Sequence, residues 1–181
     1  MKKYLYVLVV ILLSNCAGYH TAPKFYDRYK ESKKVEAYQL PKFKSSVMDS
    51  LSPYTRNLFL DVTDLRYLKL IEPDRNQNEL LKIEIRGLFK RRFKDLQRVI
   101  TEDSLKIVSM KVVDNIATDF LAYLNFGSEN KILYLSGDMD PRAVREFFEN
   151  NEHIKLMRYM HPDNFLDFDS NLKAIEEKNK Q

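Results

Sequence analysis

The stretch from Leu105 to Ser136 constrains the fold more than any other part of the chain. Leu105 to Val113 is apolar and β-branched, Asp114-Asn115 marks a turn, and Thr118 to Phe126 reads as a second strand. Gly127-Ser128 marks a second turn, and Lys131 to Ser136 reads as a third strand. Turns this short join only antiparallel neighbours, so the segment predicts a meander. Helical periodicities flank it, which places the chain in the α+β class: an antiparallel β-meander sheet with helices packed on one face.

Upstream, Phe25, Tyr26 and Tyr29 follow Pro23 at helical spacing and predict a short helix. Val35 to Leu40 reads as a strand. Pro41 suits the first turn of a helix carrying Phe43, Val47, Met48 and Leu51, which Pro53 ends. Asp61 to Asp64 reads as a turn or short helix before a strand over Leu65 to Ile71. From about Gln77 the stripe Leu81, Ile85, Leu88 and Phe89 marks the clearest amphipathic helix. Continued at about 100° per residue, that stripe would contain Arg92, and a charge aimed at the core is costly. The helix is therefore expected to stop near Arg91, leaving Asp95 to Thr101 as a strand paired with Leu105 to Val113. Asp140-Pro141 starts a further helix, with Asp140 as its N-cap and Val144, Phe147 and Phe148 on its apolar side.

The N-terminus carries a different kind of signal. Lys2 and Lys3 precede an apolar run from Tyr4 to Leu13, about half the roughly 20 residues a helix needs to span a bilayer. That run ends at Leu13-Ser14-Asn15-Cys16, and Cys16 is the only cysteine in the chain. The tetrapeptide resembles the lipobox of bacterial lipoproteins, although Asn15 stands where that family usually has Gly, Ala or Ser. The resemblance implies residues 1–15 as a signal peptide, Cys16 as the lipid attachment site and residues 16–22 as a tether. A domain over residues 23–151 and a C-terminal extension over 152–181 would follow. Ala17 and Gly18 lack the acidic sorting signals of other lipoproteins, which implies an outer-membrane address facing the periplasm. A plain signal peptide or an uncleaved anchor is the competing explanation.

Removing the first 15 of 181 residues leaves 166, suited to one domain. Hydrophobic residues make up 44% of the chain, enough for a packed core. Lys+Arg 30 against Asp+Glu 26 gives +4, and loss of Lys2 and Lys3 leaves 28 against 26, so no nucleic-acid partner is expected.

The order of several motifs carries a second resemblance. Phe25-Tyr26-Asp27-Arg28-Tyr29 precedes the strand Val35 to Tyr38, Asp64-Leu65-Arg66-Tyr67-Leu68-Lys69 leads a later one, and Leu133 to Asp140 closes the meander. Together they resemble a family of small Bacteroidota lipoproteins catalogued as a domain of unknown function. Residues 25 to 148 carry the likeness, which implies an α+β envelope lipoprotein and no catalytic residue.

No motif points to catalysis, a cofactor or a metal. His20, His153 and His161 are scattered, nucleophile elbows and phosphate loops are absent, and Asp138 with Asp140 supplies too few oxygens for calcium. The one concentration of charge is Lys82, Arg86, Lys90, Arg91, Arg92, Lys94 and Arg98. It is either a solvated helix face or a surface drawn to anionic lipid or an acidic envelope protein, with Arg86, Lys90, Arg91 and Lys94 as the contacts. An amphipathic helix packed on a sheet is expected to keep no apolar face for lipid. These observations favour a lipid-anchored binding or signalling-accessory module over an envelope hydrolase with a dispersed site or a structural spacer.

Overall fold

The computed structural model describes residues 21–40, 51–71, 74–89, 92–101, 104–126 and 129–160. In chain order its elements are α1 (Ala22–Tyr29), β1 (Val35–Leu40), α2 (Pro53–Leu60), β2 (Val62–Ile71), α3 (Arg75–Leu88) and β3 (Phe93–Ile100). They continue with β4 (Ser104–Val113), β5 (Ile116–Phe126), β6 (Glu129–Met139), α4 (Pro141–Glu149) and α5 (Glu152–Tyr159). The expected helix from Pro41, Cys16, Lys90 and Arg91 lie outside the described residues.

All six strands join one antiparallel sheet in the order β1-β2-β6-β5-β4-β3. Strands β3 to β6 form the meander, and β6 returns to pair with β2. The β4–β5 hairpin closes on Val113 opposite Ile116, with Asp114 and Asn115 both at positive φ (51° and 63°). That is the backbone a two-residue hairpin turn demands, and Asp and Asn tolerate it. Strand β3 pairs with β4 from Phe93 opposite Lys111 to Ile100 opposite Leu105, as the interruption of the helical stripe at Arg92 implied. Between β2 and β3 the chain must cross four strand spacings, about 19 Å. The 14 residues of α3 make a rod of about 21 Å, long enough to cross in one step.

Helices cover both faces of the sheet, not one. Leu65 and Tyr67 of β2, Phe120, Ala122 and Leu124 of β5, and Leu133 and Leu135 of β6 pack with α2, α4 and α5. Leu68 and Leu70, Leu121 and Tyr123, and Ile132 and Tyr134 alternate to the other side and pack with α1 and α3. The physical reason stands in the sequence: Phe120-Leu121-Ala122-Tyr123-Leu124 and Ile132-Leu133-Tyr134-Leu135 are unbroken apolar runs, and a strand with one wet face would alternate.

Three further boundaries differ from expectation. Pro53 begins a helix instead of ending one: Ser52 is the N-cap, its Oγ accepting from Thr55 N at 3.2 Å, and proline costs nothing in a first turn. Asp61 is the C-cap of α2 and Val62 to Asp64 already belong to β2, where the register shifts between Val62 and Asp64. The residues assigned to a C-terminal extension open with α5, whose Leu156 and Met157 are buried in the core with Met160, so the core continues past residue 151. Asp74 and Asp140 cap α3 and α4, accepting from Gln77 N and Arg142 N at 2.8 Å each.

His153 sits at the centre of the α4–α5 layer, fully buried against Phe120, Phe147 and Phe148. Burial pushes its pKa down to about 4, the Lys106 charge adds to the effect, and the Phe147 backbone opposes it. An unfolded histidine titrates near 6.5, so between pH 6.5 and 4 the unfolded chain binds more protons than the folded one. Stability is then full above pH 6.5 and falls as pH drops through this window, by roughly 3 kcal/mol at the bottom. Replacing His153→Leu should flatten that part of the profile, measured as urea midpoints at pH 7 and pH 4.5. Gly137 supplies a second test: a Cβ there would run into the Asp61 carbonyl where β6 meets the start of β2. Gly137→Ala should lower stability by about 2 kcal/mol in thermal unfolding.

Candidate functional site

A cleft of about 650 Å³ opens between the first turn of α1, the last turn of α3 and the sheet. Ala22, Pro23, Leu88, Phe93 and Leu121 give it apolar walls, and Arg92, Lys111, Asp119 and Tyr134 supply its polar groups. The sheet register assembles those groups. Lys111 on β4 lies directly opposite Asp119 on β5, and Tyr134 on β6 is diagonal to Asp119, since Asp119 pairs with Ser136. Register shifts between Lys111 and Val112 and between Ala117 and Asp119 bend the sheet at this point.

Asp119 is the hub. Its Oδ1 accepts from Tyr134 Oη at 2.7 Å, and its Oδ2 accepts from Thr118 Oγ1 at 2.8 Å and Lys111 Nζ at 3.0 Å. Burial alone would raise its pKa, but the hydrogen bonds from Tyr134, Thr118 and Lys111 outweigh it and hold the carboxyl below its usual range. Tyr134 moves the other way, raised by burial and by the carboxylate beside it. At neutral pH the cluster is a fixed carboxylate, ammonium and neutral phenol. With its oxygens taken by three donors, Asp119 is a poor proton acceptor and a good structural brace.

Arg92 stands apart from this brace. It follows α3 with φ at 63°, is exposed at the cleft, and makes no ion pair among the described residues. A short network holds α1 over the site. Arg66 Nη1 donates to Pro23 O at 3.2 Å and lies 5.3 Å from the Tyr26 ring centre, while Asp64 fixes the guanidinium at 2.7 Å.

Of the basic residues singled out by sequence, Arg86 on α3 and Lys94 on β3 are exposed and neither lines the cleft. Asp140 serves as an N-cap, and among the described residues no group of three or more His, Cys, Asp or Glu is placed to hold a metal ion. Lys111, Asp119 and Tyr134 escaped the sequence reading because they come from three strands and meet only through register. The available signal was a pair of opposite charges, Lys111 and Asp119, on adjacent strands of the meander.

The brace should behave as one unit. Asp119→Ala should cost about 2 kcal/mol and Tyr134→Phe about 1, with the double variant costing less than the sum because both remove one hydrogen bond. A double-mutant cycle by urea unfolding measures the coupling.

No protein-family model, curated protein or solved structure matches the chain.

Proposed function

We propose that the chain is a lipid-anchored cell-envelope protein acting as a binding module, held in the outer membrane through Cys16 and facing the periplasm. Its cleft beside the first turn of α1 receives an amphipathic ligand with an anionic end. The cleft itself carries the binding half of this reading: apolar walls end in a rigid polar cluster whose acid and base neutralise each other, and Arg92, which makes no ion pair among the described residues, adds a positive charge. Such a site orients a ligand by one charge-assisted contact while the walls bury its apolar part. Because the Asp119 oxygens are engaged and its proton affinity is low, binding is favoured over proton-transfer chemistry at this cluster.

The anchoring half rests on the basic start, the short apolar run and the lone Cys16. Two or three acyl chains make a lasting anchor, where one holds only reversibly. Among the described residues no helix is long and apolar enough to cross a membrane.

Each half has its own test. Mass spectrometry of the purified protein should find a diacylglycerol-modified N-terminus at Cys16, and Cys16→Ser should leave an unprocessed precursor or a released domain. An unmodified thiol in a protein still firmly in the membrane fraction would defeat the anchor. For the cleft, n-decyl phosphate should raise the melting temperature, and Arg92→Glu should weaken its binding about tenfold. Equal response of both proteins to n-decyl phosphate and to an uncharged decyl glycoside would defeat the ligand class.

A further inference from the structure

Helix α3 has a second apolar stripe that packing does not use. Leu81, Ile85 and Leu88 are buried against the sheet, yet Leu80 is 62% and Ile83 63% exposed, one turn apart on the outward side. A helix packed on a sheet was expected to keep no apolar face, and this one does. Cations border it. Lys33 and Lys34, on the turn between α1 and β1, line the groove that Leu80 also lines, and Arg86 follows Ile83 by three residues on the exposed side. Among the described residues the acids of α3 and its N-cap are occupied. Glu84 is held by Arg28 at 2.9 Å and Tyr29 at 3.2 Å, Glu79 pairs with Lys82 at 3.0 Å, and Asp74 caps the helix. Lys33 and Arg86 are exposed beside this face, and Glu31 is exposed on the same turn as Lys33.

The place where the chain joins the domain decides what covers this face. Helix α1 lies in the same layer as α3, tied to it through Glu84 and to β2 through Arg66. Cys16 precedes Thr21, the first described residue, by five positions, a span of at most about 17 Å. An anchor that short holds the α1–α3 layer closer to the bilayer than the α2–α4–α5 layer on the far side of the sheet. We infer that the outer face of α3, Leu80 and Ile83 with Arg86 and the Lys33–Lys34 turn, docks on an anionic lipid surface. The inference rests on the lipid-anchored reading above and adds an orientation to it. Two aliphatic side chains and a few cations hold a surface only weakly on their own, and the covalent anchor turns that weak contact into a persistent one by raising its effective concentration.

The lone cysteine makes the test direct. In full-length protein acylated at Cys16, Ile83→Cys is the single free thiol and takes an environment-sensitive fluorophore; Glu146→Cys on α4 is the control on the opposite layer. Both are reconstituted in vesicles of phosphatidylglycerol and phosphatidylcholine carrying brominated acyl chains. The label at residue 83 should be quenched about twofold more than that at residue 146, and the excess should fall in phosphatidylcholine alone and with Arg86→Glu. Equal quenching at the two positions in an acylated, vesicle-bound protein overturns the docking and leaves the anchor standing. Absence of the acyl group, with no vesicle association, overturns both. A spectral shift at residue 83 that grows with protein density and not with bromolipid gives the face to a second copy and overturns the inference.

Discussion

The pairing of β2 with β6 is the constraint on which the rest of the molecule depends. It joins residues from 58 positions apart (Ile71 with Glu129) to 75 positions apart (Val62 with Gly137). Without it the chain would be a β1–β2 hairpin and a separate meander, each with apolar faces open to water. Closing loops of this length carries an entropic cost that grows slowly with length, and the core formed on both sides of the joined strands offsets it. Gly137 marks how tightly the closure is drawn, because the β2 backbone passes where any side chain would stand.

A sheet buried on both faces leaves little room for polar groups, and those at its centre are gathered into clusters that satisfy one another, while Glu36 Oε2 on β1 and Gln97 Oε1 on β3 are buried without a hydrogen-bond partner. Asn130 shows the pattern: its Oδ1 accepts from Tyr123 Oη at 2.6 Å and Asn125 Nδ2 at 3.0 Å, and its Nδ2 donates to Asn78 of α3 at 3.2 Å. This network pins the crossover helix to the β5–β6 hairpin. At the opposite end of those strands Asp119 ties β4, β5 and β6 to one another through Lys111, Thr118 and Tyr134, but beside an open cleft. The two clusters differ in surroundings more than in chemistry, and that difference is what makes the second a candidate site.

Much of the architecture was legible because local patterns were strong. The meander followed from Asp114-Asn115 and Gly127-Ser128, and β3 followed from the conflict between Arg92 and the helical stripe. Misreadings arose where one residue type serves two purposes. Pro53 is both a helix stop and a first-turn residue, and only the serine before it settles which. Ile154, Leu156, Met157 and Met160 carry helical spacing, but spacing alone does not state that the helix packs into the core. The second covered face was visible in the unbroken runs of β5 and β6, a signal of burial and not of periodicity. The cleft was beyond reach, since no local pattern states which residue of one strand stands opposite which residue of another.

Arg92 connects these levels. A non-glycine residue at positive φ costs on the order of 1 kcal/mol, and glycine would occupy the same position without that cost. The chain needs the reversal there, because α3 must end and β3 must begin on the far side of the sheet. Glycine would serve the reversal alone. Arginine serves it at a small loss of stability and sets a guanidinium at the mouth of a cleft whose other charges are already matched. One backbone position therefore turns the chain into the edge strand and gives the described lining of the cleft a net positive charge, so any ligand suited to the apolar walls binds more favourably with an anionic end.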